Sequence, residues 1–222
     1  MLAAQAPGVA VVDLLNDLPG YDVAGAAHLL AALAPRVAPG NVFLAVLDPG
    51  VGTARDALVI EADGRAFVGP DNGLLSVLWQ RAAERRCRSI AWKPEQLSAS
   101  FHGRDLFAPV AARLAADRLP PEWLAPKAAP EVLLDPAPLA RVIYVDHYGN
   151  CITGIPAQDI GRNAALRVGG RSLRFARVFD EAPPGEPFWH ANSSGLVEIS
   201  VARASAARSL GLAAGAAVEV AA

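Results

Sequence analysis

The sequence predicts an α/β domain with a largely parallel sheet, followed by a small all-β domain. In the first half of the 222-residue chain, short apolar runs alternate with stretches of helical spacing, which is typical of strand–helix–strand units. In the second half, short β-rich runs separated by glycines replace that pattern. Residues 119–138 lie between the halves and hold six of the 18 prolines. We therefore predict an α/β domain at 1–118, a linker at 119–138 and a β domain at 139–222.

The start of the chain predicts a parallel crossover. Residues 9–14, VAVVDL, form a short β-rich run, and from Asp22 onward apolar side chains return every three or four residues. Asp22 stands where a helix N-cap is expected. Pro39-Gly40 ends this helix, and NVFLAVL at residues 41–47 is the next apolar run. A strand, a helix and a second strand predict a crossover unit in a parallel sheet.

The remaining elements follow from turn signals and periodicity. Asp63-Gly64 separates ALVIEA from RAFVGP and predicts a hairpin with a type I′ turn. Helical spacing in residues 72–86 and after the loop at 98–105 predicts two further helices, with a short strand, SIAW, between them. The β domain is predicted from the runs RVIYVD, ALRVGG, RSLRFAR, LVEISVA and AAVEVA.

Composition narrows the function classes. Hydrophobic residues make up 53% of the chain, charged residues 19%, and the formal net charge is −2, so neither disorder nor a basic nucleic-acid surface is indicated. Cys87 and Cys151 have neither metal-ligand nor redox-motif spacing and are interpreted as small hydrophobes in a reducing compartment. The chain has no apolar run long enough for a bilayer, and its start lacks the basic and apolar regions of a signal peptide. We expect a cytoplasmic protein.

Polar clusters interrupt the apolar runs at residues 48–55, 69–73 and 100–105, and in the β domain at 146–150 and 192–195. Each cluster alone is typical of a turn or a helix cap. The first three, however, follow strands or precede helices, and in a parallel sheet such ends gather along one edge. They would then bring together a carboxylate, a guanidinium and an imidazole. The clusters contain no metal-ligand set, nucleophile elbow or phosphate-loop pattern, so the sequence predicts a reaction site without a metal or a covalent nucleophile.

In their order, these clusters resemble the SAM hydroxide adenosyltransferases, relatives of the fluorinase and chlorinase. Six segments carry the resemblance: DPGVGTAR, VGPDNGLL, FHGRDLFAPVAA, VDHYGNCIT, NSSGLVEISV and SAARSLGLAAGAAVEV. The family splits S-adenosyl-L-methionine (SAM) with water into adenosine and L-methionine. The resemblance therefore implies SAM as substrate and no cofactor or metal. It also implies an N-terminal α/β domain, a C-terminal β domain, and a homotrimer with its sites at subunit interfaces.

The resemblance assigns the catalytic triad to Asp48, Arg55 and His102. In SAM, methionine is a good neutral leaving group from the sulfonium, so the demanding part is to activate and aim the water. His102 would accept its proton as general base, Arg55 would stabilise the developing hydroxide, and Asp48 would orient Arg55. Expected substrate contacts are Thr53, Asp71, Asn72, Asp146, Tyr148, Asn150, Phe188, Trp189, Asn192 and Ser193. Among these, Asp146 is expected to bind the methionine ammonium. For Phe188 and Trp189, core packing and adenine stacking are equally weighted.

Two alternatives stay open at this stage: a non-catalytic SAM- or adenosine-binding protein, and a halide adenosyltransferase, against which the triad argues. The family pattern also begins with a strand ending in Thr-Asp-Phe-Gly, whose Asp contacts the ribose. No counterpart precedes residues 9–14. We therefore expect Met1 to be a misassigned or artificial start; otherwise Asp17 and Asp22 of NDLPGYD are the alternative ribose contacts.

Overall fold

The computed structural model describes residues 1–221, and the chain divides into two compact units, Met1–Pro136 and the residues from Ala137 onward. Each unit is built around its own sheet, of five strands in the first and seven in the second. Within residues 1–221, none of the helices has the length and apolar character required to span a bilayer.

The first unit contains a mixed sheet with the strand order β1-β3-β2-β4-β5. Its strands are β1 (Val42–Leu44), β2 (Ala57–Ala62), β3 (Arg65–Pro70), β4 (Arg85–Ile90) and β5 (Leu124–Lys127). Among these described strands, β1 and β3 are the one parallel pair, and the other three neighbouring pairs are antiparallel. The prediction of a largely parallel sheet is therefore wrong. The hairpin between β2 and β3 reverses the chain inside the sheet, and β4 and β5 continue the antiparallel order.

The helices of the first unit are α1 (Leu2–Gln5), α2 (Val23–Leu33), α3 (Ser76–Arg81) and α4 (Ala108–Ala115). Asp22 caps α2 as predicted, because its Oδ1 accepts a hydrogen bond of 2.9 Å from the Gly25 amide. Residues 9–14, which we predicted as a strand, have no regular structure and are largely exposed. Their β-type composition is not enough, since a strand needs a neighbour with which to exchange backbone hydrogen bonds. The predicted crossover thus lacks its first strand.

The predicted hairpin turn is confirmed. Asp63 and Gly64 both have positive φ angles, 46° and 76°, as a type I′ turn requires. Successive residues of β2 face opposite sides of the sheet, and both sides are covered. Leu58 and Ile60 pack in one cluster with residues of α2 and α3, whereas Val59 packs in another with residues of α4. The sheet is therefore a central layer between two layers of helices.

The segment predicted as a linker takes part in the first unit. Residues 124–127 form β5, which pairs antiparallel with β4 over four residues. Trp92 and Trp123 stack with ring centroids 3.8 Å apart, beside this pairing. The segment therefore supplies the edge strand of the sheet, with Pro126 inside β5, and the unit extends to Pro136.

The second unit contains a seven-stranded sheet with the order β12-β8-β9-β10-β11-β7-β6. Its elements are β6 (Leu139–Val145), β7 (Cys151–Pro156), β8 (Ala165–Val168), β9 (Arg171–Phe175), β10 (Pro187–Ala191), β11 (Leu196–Val201), α5 (Ala206–Leu210) and β12 (Glu219–Ala221). The sheet curls, because residues just before β12 return to β6: the Val142 amide donates to the Ala216 carbonyl at 2.8 Å. Trp189, 1% exposed, lies in the core that the curled sheet encloses. Strands β7 and β10 were not predicted from the sequence.

Candidate active site

The loop after β1 brings a carboxylate and a guanidinium together. The amides of Val51 and Thr53 donate to the carbonyls of Asp48 and Gly50, and these two turns reverse the chain after Asp48. Arg55 therefore faces Asp48. Its Nε donates to Asp48 Oδ1 at 2.8 Å, and its Nη2 contacts Asp48 Oδ2. The result is a two-point fork, and the side chains are only 11% and 6% exposed.

Gly52 has a φ of +82°, and a Cβ at this position would lie 2.6 Å from the Ala99 carbonyl oxygen. The glycine is thus required both by its backbone conformation and by the close approach of the loop at residues 97–101. On the same side, a Cβ at Gly103 would lie 3.5 Å from the Val46 side chain. The segment that carries His102 therefore packs against the segment that carries Asp48 and Arg55.

His102 begins the turn of π-helix at Gly103–Phe107 that precedes α4. Asp105 stabilises this loop, because its carboxylate accepts from the Ser98 amide at 3.1 Å and from Arg104. Burial lowers the pKa of His102, the Arg55 charge lowers it further, and Asp105 opposes both effects. The imidazole is consequently neutral near pH 7, the form that can accept a proton.

Arg55 remains a cation in this setting. Burial lowers its pKa and the Asp71 carboxylate opposes that effect, but a guanidinium is too basic to lose its proton in a protein. The Arg55 Cζ atom lies 5.6 Å from the centre of the Phe107 ring, which covers it. Arg55 also donates from Nη1 to the Asp56 carbonyl at 3.3 Å. Three of its five N–H donors are thus used within residues 1–221, and two remain for a bound molecule.

Asp71 and Asn72 are both expected to contact substrate, but in the structure their side chains form hydrogen bonds within the protein. Asp71 is 2% exposed, and its carboxylate accepts from the backbone amide of Glu131 at 3.1 and 3.0 Å and lies 3.4 Å from Lys127 Nζ. It therefore holds the segment after β5. Asn72 donates to the Leu47 carbonyl at 2.8 Å and so supports the residue that precedes Asp48.

The hydroxyl of Thr53, a further expected substrate contact, bonds within its own turn to the Gly50 carbonyl at 2.8 Å. Thr53 is exposed.

In the second unit, Asp146 and Asn150 form one turn. The two carboxylate oxygens of Asp146 accept from the amide and from the side chain of Asn150, each at 2.8 Å. Gly149 has a φ of +85°, and a Cβ there would lie 2.0 Å from the Ser205 hydroxyl, so this turn packs tightly on the start of α5. Tyr148, at the tip of the turn, is 77% exposed. Asn150 thus positions Asp146, and the Tyr148 ring is open to a ligand.

Burial favours core packing over stacking for two expected contacts. Trp189 is 1% exposed, and its indole donates to the Ala164 carbonyl at 3.1 Å. Phe188 is 3% exposed and packs edge to face on Phe179, with ring centroids 5.3 Å apart. Neither ring has a free face within its own unit.

Asn192 and Ser193 lie in the loop between β10 and β11. The Asn192 carbonyl oxygen, Oδ1, accepts from the Ser194 amide at 3.0 Å, from the Ser194 hydroxyl at 2.7 Å and from the Leu196 amide at 3.0 Å. Ser193 is the exposed residue of this loop. The hydrogen bonds of Asn192 therefore stabilise the conformation of the loop, and Ser193 is exposed at its surface.

Two contributions to these sites were not predicted from the sequence. Asn72 donates a hydrogen bond to the backbone beside Asp48. The buried Glu198 in β11 accepts a hydrogen bond of 3.1 Å from the side-chain amide of Asn192. A signal for Glu198 existed, because it is the one charged residue in the apolar run LVEISV. In residues 1–221 no three His, Cys, Asp or Glu side chains are arranged to hold a metal ion.

Comparison with protein families and relatives supplies the identity of these motifs. Residues 1–124 match the SAM hydroxide adenosyltransferase N-terminal domain, and residues 140–219 match the corresponding C-terminal domain. The chain is 42% identical to the (R)-S-adenosyl-L-methionine hydrolase of Thermus thermophilus, over 96% of this chain and 88% of that protein. It is 41% identical to the enzyme of the same name from Salinispora arenicola, over 90% and 82%.

Solved structures agree with the fold. An uncharacterized conserved protein from Thermotoga maritima is similar with a TM-score of 0.87 and 31% identity, covering 99% of this chain and 92% of that one. A conserved hypothetical protein from Thermus thermophilus is similar with a TM-score of 0.76 and 40% identity, covering 99% and 90%.

Proposed function

The chain belongs to the SAM hydroxide adenosyltransferase family, and we propose that Asp48, Arg55 and His102 are the residues with which it hydrolyses SAM to adenosine and L-methionine. The observation that carries this assignment is the buried fork between Asp48 and Arg55 beside a neutral imidazole. A water nucleophile is activated by an unprotonated base, which accepts its proton, and by a fixed cation, which stabilises the negative charge that develops on its oxygen.

In the proposed reaction, a water oxygen attacks C5′ of SAM as the bond from C5′ to sulfur breaks. The bonding electrons leave with the sulfur, which turns the sulfonium into the neutral thioether of methionine. The proton that the water loses passes to His102, whose neutral form accepts it; general bases of this kind contribute about 10²–10⁴-fold. Arg55 offers its two remaining N–H donors to the oxygen on which negative charge develops.

Asp48 does not touch the reacting atoms in this proposal. It holds the guanidinium plane through two donors at once, which fixes the direction of the remaining donors. Low exposure of both side chains keeps bulk water from weakening the pair.

We propose that the second unit supplies the contacts to the methionine and adenine parts of SAM. Each oxygen of Asp146 accepts one hydrogen bond from Asn150, and an ionised carboxylate has further lone-pair sites for an ammonium. The exposed ring of Tyr148 is suited to stack on adenine, and Ser193 is suited to donate a hydrogen bond. We further propose that no metal takes part, and that the chain acts in the cytoplasm as a homotrimer with sites at its subunit interfaces.

The test is incubation of SAM with the purified protein in ¹⁸O-labelled water, with and without fluoride or chloride, followed by chromatography and mass spectrometry. We expect adenosine with one ¹⁸O atom in its 5′-hydroxyl, unlabelled methionine, and the same rate with and without EDTA. A 5′-halogenated nucleoside would instead indicate the halide adenosyltransferase. Bound but unreacted SAM would indicate the non-catalytic binding protein.

A further inference from the structure

A buried polar network lies behind the loop at residues 192–195. Glu198 is 8% exposed, although it stands in the centre of β11, all of whose residues are buried. In the antiparallel pairing with β10 it lies directly opposite His190, and His190 Nε2 is 3.3 Å from Glu198 Oε1. Ser200, two residues further along the strand, donates to the same oxygen at 3.4 Å.

The other carboxylate oxygen of Glu198 is directed at the loop. Glu198 Oε2 accepts from Asn192 Nδ2 at 3.1 Å. Burial alone would raise the pKa of Glu198, but hydrogen bonds from His190 and Asn192 lower it, so the carboxylate is charged near neutral pH. A buried charge of this kind is retained only where its hydrogen bonds are made.

This contact and the backbone donors of the loop favour the same orientation of the Asn192 amide. A carboxylate can only accept, so the amide must turn its NH₂ group toward Glu198 and its oxygen toward the loop. That oxygen then accepts hydrogen bonds of 3.0 Å each from the backbone amides of Ser194 and Leu196. If the amide were reversed, its NH₂ group would face these two backbone donors and its oxygen would face the carboxylate, so neither the two backbone hydrogen bonds nor the one to Glu198 could form.

We propose that Glu198 is a positioning residue for SAM binding: it orients the Asn192 amide, which folds the 192–195 loop so that Ser193 is presented to the substrate. Ser193 makes no side-chain hydrogen bond among residues 1–221 and is exposed, as a ligand contact should be. The inference rests on the proposed function, because Ser193 is taken to contact SAM.

The experiment uses steady-state SAM hydrolysis by the full chain. Glu198→Met keeps a side chain of similar length that cannot accept a hydrogen bond. We expect its KM for SAM to rise about tenfold, the size of one hydrogen bond to a charged group, with kcat changed less than about twofold. Ser200→Ala is the control on the same strand: it removes a long hydrogen bond to the other carboxylate oxygen of Glu198 and leaves the contact with Asn192 in place, so its KM should rise much less than that of Glu198→Met.

A second pair of variants exchanges the hydrogen-bond donor and acceptor between positions 192 and 198. It distinguishes the loss of this hydrogen bond from general misfolding. Asn192→Asp places a second carboxylate against Glu198 and should raise KM. Adding Glu198→Gln supplies an amide that can donate to the new carboxylate, so the double variant should recover most of the lost affinity. Amide hydrogen exchange at Ser194 and Leu196 should accelerate in Glu198→Met and Asn192→Asp and slow again in the double variant.

The inference is overturned if Ser200→Ala raises KM as much as Glu198→Met, if the double variant is no better than Asn192→Asp, or if Ser193→Ala leaves KM unchanged. Failure of the proposed function is a different result. Wild-type protein would then leave SAM intact, while the exchange rates at Ser194 and Leu196 would still show whether Glu198 orients the amide.

Discussion

Replacing Arg55 by alanine is the most informative perturbation of the candidate site. The change removes three hydrogen bonds, two of them to Asp48, and leaves a carboxylate of 6% exposure without its cation. Removing one partner of a buried ion pair costs about 3–5 kcal/mol of folding free energy. Loss of a preorganised donor to a developing oxyanion costs about 2.7–4 kcal/mol in the transition state. We therefore expect kcat to fall at least about 10²-fold.

The same variant makes a second prediction, on pH dependence. The Arg55 charge lowers the pKa of His102, since a nearby cation disfavours the imidazolium form. Without that charge the pKa of His102 rises. The acidic limb of the profile of kcat/KM against pH, where the base becomes protonated, should then move to higher pH.

The assay is chromatographic measurement of adenosine release from pH 5 to 9, at a temperature where circular dichroism shows the variant to be folded. Arg55→Lys is the matched control: it keeps the charge but loses the fork, so its profile should stay near the wild-type position while kcat still falls. A folded Arg55→Ala protein with full kcat and an unmoved acidic limb would refute the role given to Arg55.

Three further predictions concern single residues. His102→Ala should lower kcat about 10²-fold with little change in KM, and full turnover in this variant would contradict its role as base. Asp146→Ala should raise the KM for SAM while leaving inhibition by adenosine alone unchanged; a normal KM would show that Asp146 serves only its turn with Asn150. Asp71→Ala removes the acceptor of the Glu131 amide, while Lys127 keeps its ion pair with Asp56, so thermal denaturation should show a loss of about 1–3 kcal/mol. An unchanged melting temperature would mean that the segment after β5 is held by other contacts.

Short-range features of the fold were predictable from the sequence. The Asp22 cap and the Asp63-Gly64 turn depend on hydrogen bonds and φ angles within a few residues, so local chemistry is sufficient to specify them. The sheet direction was not predictable in this way. Residues 9–14 have strand-like composition, yet strand formation depends on a neighbouring strand that the pattern of a single segment cannot reveal.

The structure was also needed to show which side chains contact other parts of the protein. Asp71, Trp189 and Asn192 are residue types that bind ligands in many proteins, and nothing in their local sequence distinguishes a ligand contact from an internal one. The structure places Asp71 against the Glu131 amide, 60 residues away, and Trp189 in the core of a curled sheet. Such pairings depend on how distant segments pack, which motif spacing does not encode.

The sequence by itself was sufficient to identify the candidate site residues. Asp48, Arg55 and His102 stand in a fixed order within six family-like motifs. Only the tertiary structure decided how these groups meet. Arg55 grips Asp48 because two tight turns reverse the chain between them, and His102 comes near because Gly52 lets the Ala99 backbone approach where any side chain would collide. Residue types are local properties, whereas distances between segments follow from the packing of the whole unit, and catalysis depends on both.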